Sequence, residues 1–360
     1  MEEFILDGPR QLREAVRAAD GLPATLFEGR QPSSAMLLGM GGSALSAGLI
    51  ELLRHRHQAA WRFDVVRDYR LARQPDASTL VLALSYSGET DETLAGLEAC
   101  LRPGSDQGRS DLSANGLAEA GDTERLNRPL VVAAARGGRL EHAARKHAVS
   151  FVQVPERPSD FQPRFALSFM FGLAWRVLVR AGLLPDATSI HELADWLECR
   201  DLESGGAELA SWLEDRIPVV YMPTEFEAGV ARTWRIKFNE NAKIPCIAGA
   251  LPEANHNEMI AFPPLPSGSR ARFAFLLVDD PDGDRRISQR FRLTGDLLGS
   301  YGYPVRRLTL DAGVSSIHKA MSSLLLADWV TLHHARQRGV DPVSIPAIQQ
   351  FKLLLKGASH

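Results

Sequence analysis

From Ala35 onward short β-type runs alternate with helical stretches, and this alternation constrains the chain more than any other feature. AMLLGM, WRFDVVRDY, TLVLALS, RPLVVAAA and SFVQVP read as strands, with SALSAGLIELLRHR, ETLAGLEACL and LEHAARKHA as helices among them. Such order belongs to α/β folds. Runs like LVLAL carry no polar alternation, which suits strands covered on both faces in a mostly parallel sheet.

The pattern then repeats. An apolar helix is expected over 161–184 and a more polar helical stretch over 186–215. IPVVYMP, ARFAFLLVDD and PVRRLTL follow as strands, with helix-compatible spacing at 226–241, 284–299 and 315–337. At 360 residues the chain is long enough for two cores. The expectation is an α/β protein of two domains, 1–184 and 185–360, each a mostly parallel sheet flanked by helices. The polar, Gly- and Ser-containing stretch near 102–128 reads as an inserted surface loop.

Charge narrows the ligand. With 41 basic and 44 acidic side chains spread along the chain, the net charge of −3 leaves no broad positive field for a nucleic-acid backbone. A single small anion remains compatible, because backbone N–H groups and hydroxyls bind phosphate without altering net charge. Cys100, Cys199 and Cys246 are few and widely separated, as in a reducing compartment. MEEFILDGPR lacks the basic start and apolar stretch of a signal peptide, and no segment offers about 18 uninterrupted apolar residues. A cytoplasmic protein without a membrane partner is expected.

Two strand-to-helix junctions have the make-up of an anion site. The first, GMGGSALSAG (39–48), has glycines that permit a tight turn and close backbone approach, with Ser43 expected to open the helix that follows. The second, SYSGETDET (85–93), brings Ser85, Ser87 and Thr90 together around Gly88. Either could be plain helix capping. GMGGSA lacks the P-loop lysine and the spacing of a dinucleotide turn, and an oxidoreductase reading leaves the second loop unexplained.

A Gly-Gly-Ser turn followed by an S-x-S-G-x-T loop resembles the phosphate site of the sugar isomerase domain. GMGGSA, SYSGETDET, QPR (162–164), KFNENAK (237–243) and PEANHNE (252–258) together resemble the bifunctional phosphoglucose/phosphomannose isomerase family, and they span both halves of the chain. That resemblance implies two sugar isomerase-type domains and a homodimer. It also implies interconversion of glucose 6-phosphate or mannose 6-phosphate with fructose 6-phosphate, without cofactor or metal. Gly42, Ser43, Ser85, Ser87, Thr90 and Arg164 would then bind the substrate.

Aldose–ketose isomerisation needs ring opening and movement of a proton from C2 to C1 through an enediol. Glu240, in NENAK, resembles the family's base, although without the motif it would read as an exposed helix glutamate. His256, in EANHNE, suits ring opening because imidazole exchanges a proton near neutral pH. By resemblance it would act across the dimer interface. It is also compatible with a structural histidine, or with a metal site beside Glu253 and Glu258 that lacks convincing ligand spacing. Arg164 would steady negative charge on the enediol. Lys352 resembles a C-terminal lysine that assists ring opening, with Lys356 as a close alternative. His318, His333 and His334 fit helical patterns, as surface or packing residues. A non-catalytic sugar-phosphate sensor would keep the loops without the Glu240 and His256 chemistry.

Overall fold

The structure is a computed structural model that describes residues 1–102, 126–186 and 189–358. Most of the expected insertion, 103–125, therefore lies outside the described residues. The chain divides into two compact units. The first comprises 7–158 and 162–198, and the second 1–6, 159–161 and 199–360.

The first unit is built on five parallel strands, β1 (Ser34–Leu38), β2 (Arg62–Val66), β3 (Thr79–Leu84), β4 (Leu130–Ala135) and β5 (Ser150–Gln153). Their order is β2-β1-β3-β4-β5. β1, β3 and β4 are buried along their full length, which is why their sequences are unbroken apolar runs. One face packs on Leu94, Leu97 and Leu140. Among the helices of this unit, Gly8–Asp20 and Leu167–Arg180 approach closely at Gly172, where an added Cβ would lie 3.0 Å from that of Ala15.

Register sets the site. Leu38 lies beside Ala83, and Leu84 beside Ala134, so β1, β3 and β4 end nearly level. In this strand order the chain turns opposite ways after β1 and β3, and the crevice between them at the carboxyl edge is where open α/β sheets bind ligands.

The second unit has four parallel strands, β6 (Ile217–Pro223), β7 (Ile247–Leu251), β8 (Phe273–Asp279) and β9 (Val305–Thr309), in the order β7-β6-β8-β9. β7 is absent from the sequence reading, because Ala248, Gly249 and Ala250 carry little apolar signal. Small residues are needed there: a Cβ on Gly249 would stand 3.0 Å from the Glu258 carboxylate and 3.2 Å from the Tyr221 ring. An aromatic cluster of Phe262, Phe275 and Tyr303 fills one face, with ring centroids 4.9 to 5.9 Å apart. Helix Ser316–Gln337 is largely buried and meets helix Glu203–Leu213 at Gly206, against Trp329. Among the described residues no helix is long and apolar enough to cross a membrane.

Candidate active site

In the first unit the two glycine–hydroxyl loops are one hydrogen-bonded structure. The chain leaves β1 through a short 3-10 turn, Gly41–Ala44, and the α-helix begins only at Ser46. Ser43 thus does not cap that helix as the sequence suggests. Its buried Oγ accepts instead from the backbone N–H of Tyr86 at 3.0 Å, tying the first loop to the second. Within the second loop Ser85 and Thr90 share a hydrogen bond of 3.0 Å, and Ser85 Oγ accepts from the Gly88 N–H at 3.1 Å. Ser87 is exposed, its Oγ accepting from the Glu89 N–H at 3.2 Å. Thr90 occupies the N-cap position of helix Asp91–Leu101 without a side-chain cap bond.

The QPR segment joins this group through Gly42. A Cβ on Gly42 would lie 2.6 Å from both the Pro163 carbonyl carbon and the Arg164 nitrogen, so only glycine lets the turn and the segment meet. Arg164 is buried, with its guanidinium carbon 4.5 Å from the centre of the Phe165 ring.

A third loop, Arg136 to Arg139, escaped the sequence reading, although its paired glycines after β4 echo the first junction. Gly88 has a left-handed φ of +72°, and a Cβ there would fall 1.8 Å from the Gly137 carbonyl oxygen. Backbone bonds run from the Arg136 N–H to Tyr86 and from the Leu140 N–H to Gly88, both 2.9 Å. Arg139 adds contacts to the Glu89 carboxylate at 2.9 Å and to Asp91 at 2.6 Å.

In the second unit Glu240 lies at the end of a helical stretch over 224–242 that twice loosens into π-turns, at Glu227–Ala231 and Phe238–Ala242. Periodicity located the helix but gave no sign of the wider turns. Such turns occur often at functional sites. Glu240 is half-buried. Lys243 ends the stretch in the left-handed region, φ +54°, and its Nζ donates to the Glu240 carbonyl at 2.6 Å. Arg338 closes the same end, donating to the carbonyls of Ala242 at 2.7 Å and Lys243 at 3.2 Å.

His256 follows β7 and is exposed. Its loop is fastened on both sides. Tyr221 Oη donates to Glu258 at 2.8 Å, and burial followed by that carboxylate drives the Tyr221 phenol well above its usual range, which keeps it a donor. Asn255 donates to Thr294 at 2.9 Å. The helical stretch carrying Glu240 returns across the sheet before β7 begins, whereas His256 lies beyond the end of β7. Five strand residues span about 16 Å, so one copy of the unit sets the two groups at opposite ends of that strand.

Lys352 is exposed on helix Pro346–Ala358 and shares a helical stripe with exposed Ile348, Phe351 and Leu355. Of the histidines on helix Ser316–Gln337, His333 and His334 pack against aromatic rings. His334 is fully buried edge-on to Phe238 at 6.2 Å, and His333 stacks on Trp329 at 6.0 Å. His318 is within 2.6 Å of the Ser315 hydroxyl. All three cysteines are free, and burial pushes the Cys100 thiol up to about 12.

Two parallel α/β units, with glycine–hydroxyl loops at the carboxyl edge of the first, define a protein of the sugar isomerase domain class. The model of the bacterial phospho-glucose isomerase C-terminal SIS domain matches residues 203–355. A hypothetical protein from Thermus thermophilus has the same fold, with a TM-score of 0.71 over 98% of this chain and 89% of that one at 18% identity. The bifunctional phosphoglucose/phosphomannose isomerase of Aquifex aeolicus is 32% identical over 322 residues, 88% of this chain and 89% of the relative. Its namesake from Thermoplasma acidophilum is 27% identical, covering 89% of each. The chain belongs to the bifunctional phosphoglucose/phosphomannose isomerase family.

Proposed function

We propose that this chain is an aldose–ketose isomerase that interconverts glucose 6-phosphate and mannose 6-phosphate with fructose 6-phosphate. The observation that carries this reading is the meeting of Gly42–Ser43 with Ser85–Thr90 at the carboxyl edge between β1 and β3, in a chain whose named relatives are isomerases of these sugars. Backbone N–H groups and neutral hydroxyls, prearranged before the ligand arrives, bind a phosphate without bulk positive charge.

In this reading Ser43, Ser85, Ser87 and Thr90 hold the phosphate. His256 and Lys352 move the proton that opens the sugar ring. Glu240 then takes the proton from C2, leaving an enediolate, and returns it to C1, while Arg164 steadies the negative oxygen. Both C2 epimers converge on the same enediolate, which accounts for acceptance of two aldoses.

The reading includes a homodimer in which His256 completes the partner's site. The separation of Glu240 and His256 along β7 supports this, as do the exposed apolar side chains of helix Pro346–Ala358. It also includes a reducing, cytoplasmic setting, in keeping with three free thiols. A coupled assay of fructose 6-phosphate formation from each aldose phosphate, with chelator present, tests the activity. Turnover of both is expected. Binding of the sugars without turnover of either would overturn the enzyme reading in favour of a sensor.

A further inference from the structure

The π-turn that bears Glu240 is fastened to helix Ser316–Gln337 by a row of buried polar contacts. Trp234 Nε1 donates to Ser323 Oγ at 3.0 Å, Lys237 Nζ pairs with Asp328 at 2.5 Å, and Asn241 Nδ2 donates to Thr331 Oγ1 at 2.9 Å. Residues 234, 237 and 241 share one face of their helical stretch, and all six partners are buried. Buried polar groups stabilise only the arrangement in which their partners meet. A π-turn holds one more residue than an α-turn, so contacts made by the residues that flank Glu240 decide which way its side chain faces. Lys237 lies just before this turn and Asn241 within it.

Resting on the reading of Glu240 as the base, we propose that Thr331 and Asp328 are positioning residues for the proton transfer. Through Asn241 and Lys237 they fix the wide turn, and with it the direction of the Glu240 carboxylate. Ser323, whose partner Trp234 lies before the turn and farther from Glu240 than Lys237 does, contributes to packing alone.

Thr331→Val keeps the shape of the side chain and removes the acceptor. It should lower kcat for both aldose phosphates by about ten- to a hundred-fold, the effect of misplacing a reacting group by roughly 1 Å. KM should stay within about twofold. Thr331→Ser should restore most of the rate. Asp328→Asn tests the second contact in the same way, and Ser323→Ala serves as the packing control. Thermal midpoints are measured for every variant, and rates are taken well below the lowest of them.

Loss of kcat in Thr331→Val and Asp328→Asn, with Ser323→Ala at the native rate, supports the proposal. Equal rate losses in all three, or a Thr331→Val rate equal to the native one, would overturn it. Glu240→Gln separates the two levels. If it is inert while Thr331→Val is fully active, positioning alone is wrong; if it is active, the assignment of the base is wrong and the positioning role goes with it.

Discussion

The loops of the first unit and the Glu240 and His256 segments of the second solve different physical problems. Ser43 and Ser85 are buried and already bonded to loop backbone. Glu240 and His256 stand at least partly in solvent, on a loosened helical turn and on an exposed loop. Holding a phosphate rewards dipoles that are fixed in advance, since no reorganisation is then needed on binding. Moving protons requires groups that reach the carbon chain and the ring oxygen. The contrast predicts that damage to the first region appears in KM and stability, and damage to the second in kcat.

The largest effect should come from Glu240→Gln, which keeps the shape and removes the base. A fall in kcat of about 10²- to 10⁴-fold is expected, with sugar-phosphate affinity by calorimetry within a few-fold of native. A matching loss of affinity would erase the proposed division. Gly42→Ala comes next, because its Cβ would press on the backbone of Pro163 and Arg164 at 2.6 Å. Overpacking of this kind costs about 1–3 kcal/mol, so KM should rise by about ten-fold or more and the melting temperature should fall. Ser43→Ala removes the acceptor of the Tyr86 N–H and should raise KM by several-fold, about 1 kcal/mol, with kcat little changed.

The smallest effect concerns pH and stability alone. Burial is the main cause lowering the His334 pKa; Arg338 adds to it, while the Glu214 backbone and Asp215 oppose. The unfolded chain therefore binds a proton more readily than the folded one. The stabilisation is complete above the unfolded histidine value, near 6.5, and is lost as pH falls through it toward the lower folded value. Melting temperatures at pH 7.5 and 5.0 should differ less in His334→Leu than in the native chain; an unchanged difference would remove His334 from the account.

How much of this was legible depended on the range of the interactions. β1, β3 and β4 announce themselves because burial on both faces demands unbroken apolar runs, and the loops after β1 and β3 carry glycines and hydroxyls in plain view. β7 does not, since its small residues answer to Tyr221 and Glu258 from other segments. Ser43 looked like a helix cap because local sequence favours that role, whereas its partner, Tyr86, lies 43 positions away. The π-turns were hidden for the same reason: hydrophobic spacing reports which face is buried, and contacts such as Asn241 with Thr331, 90 positions apart, fix the turn.

The interlock of Gly88 with Gly137 limits what can be transplanted. A Cβ on Gly88 would stand only 1.8 Å from the facing carbonyl oxygen, and the Arg136 and Leu140 N–H groups bond the carbonyls of Tyr86 and Gly88, so the SYSGET hexapeptide is shaped against this particular turn. Moving this phosphate loop into a foreign parallel α/β scaffold would require carrying the ARGGR turn with it as a second, discontinuous insert. Swapping either piece alone would leave a loop that matches in sequence and misses in conformation.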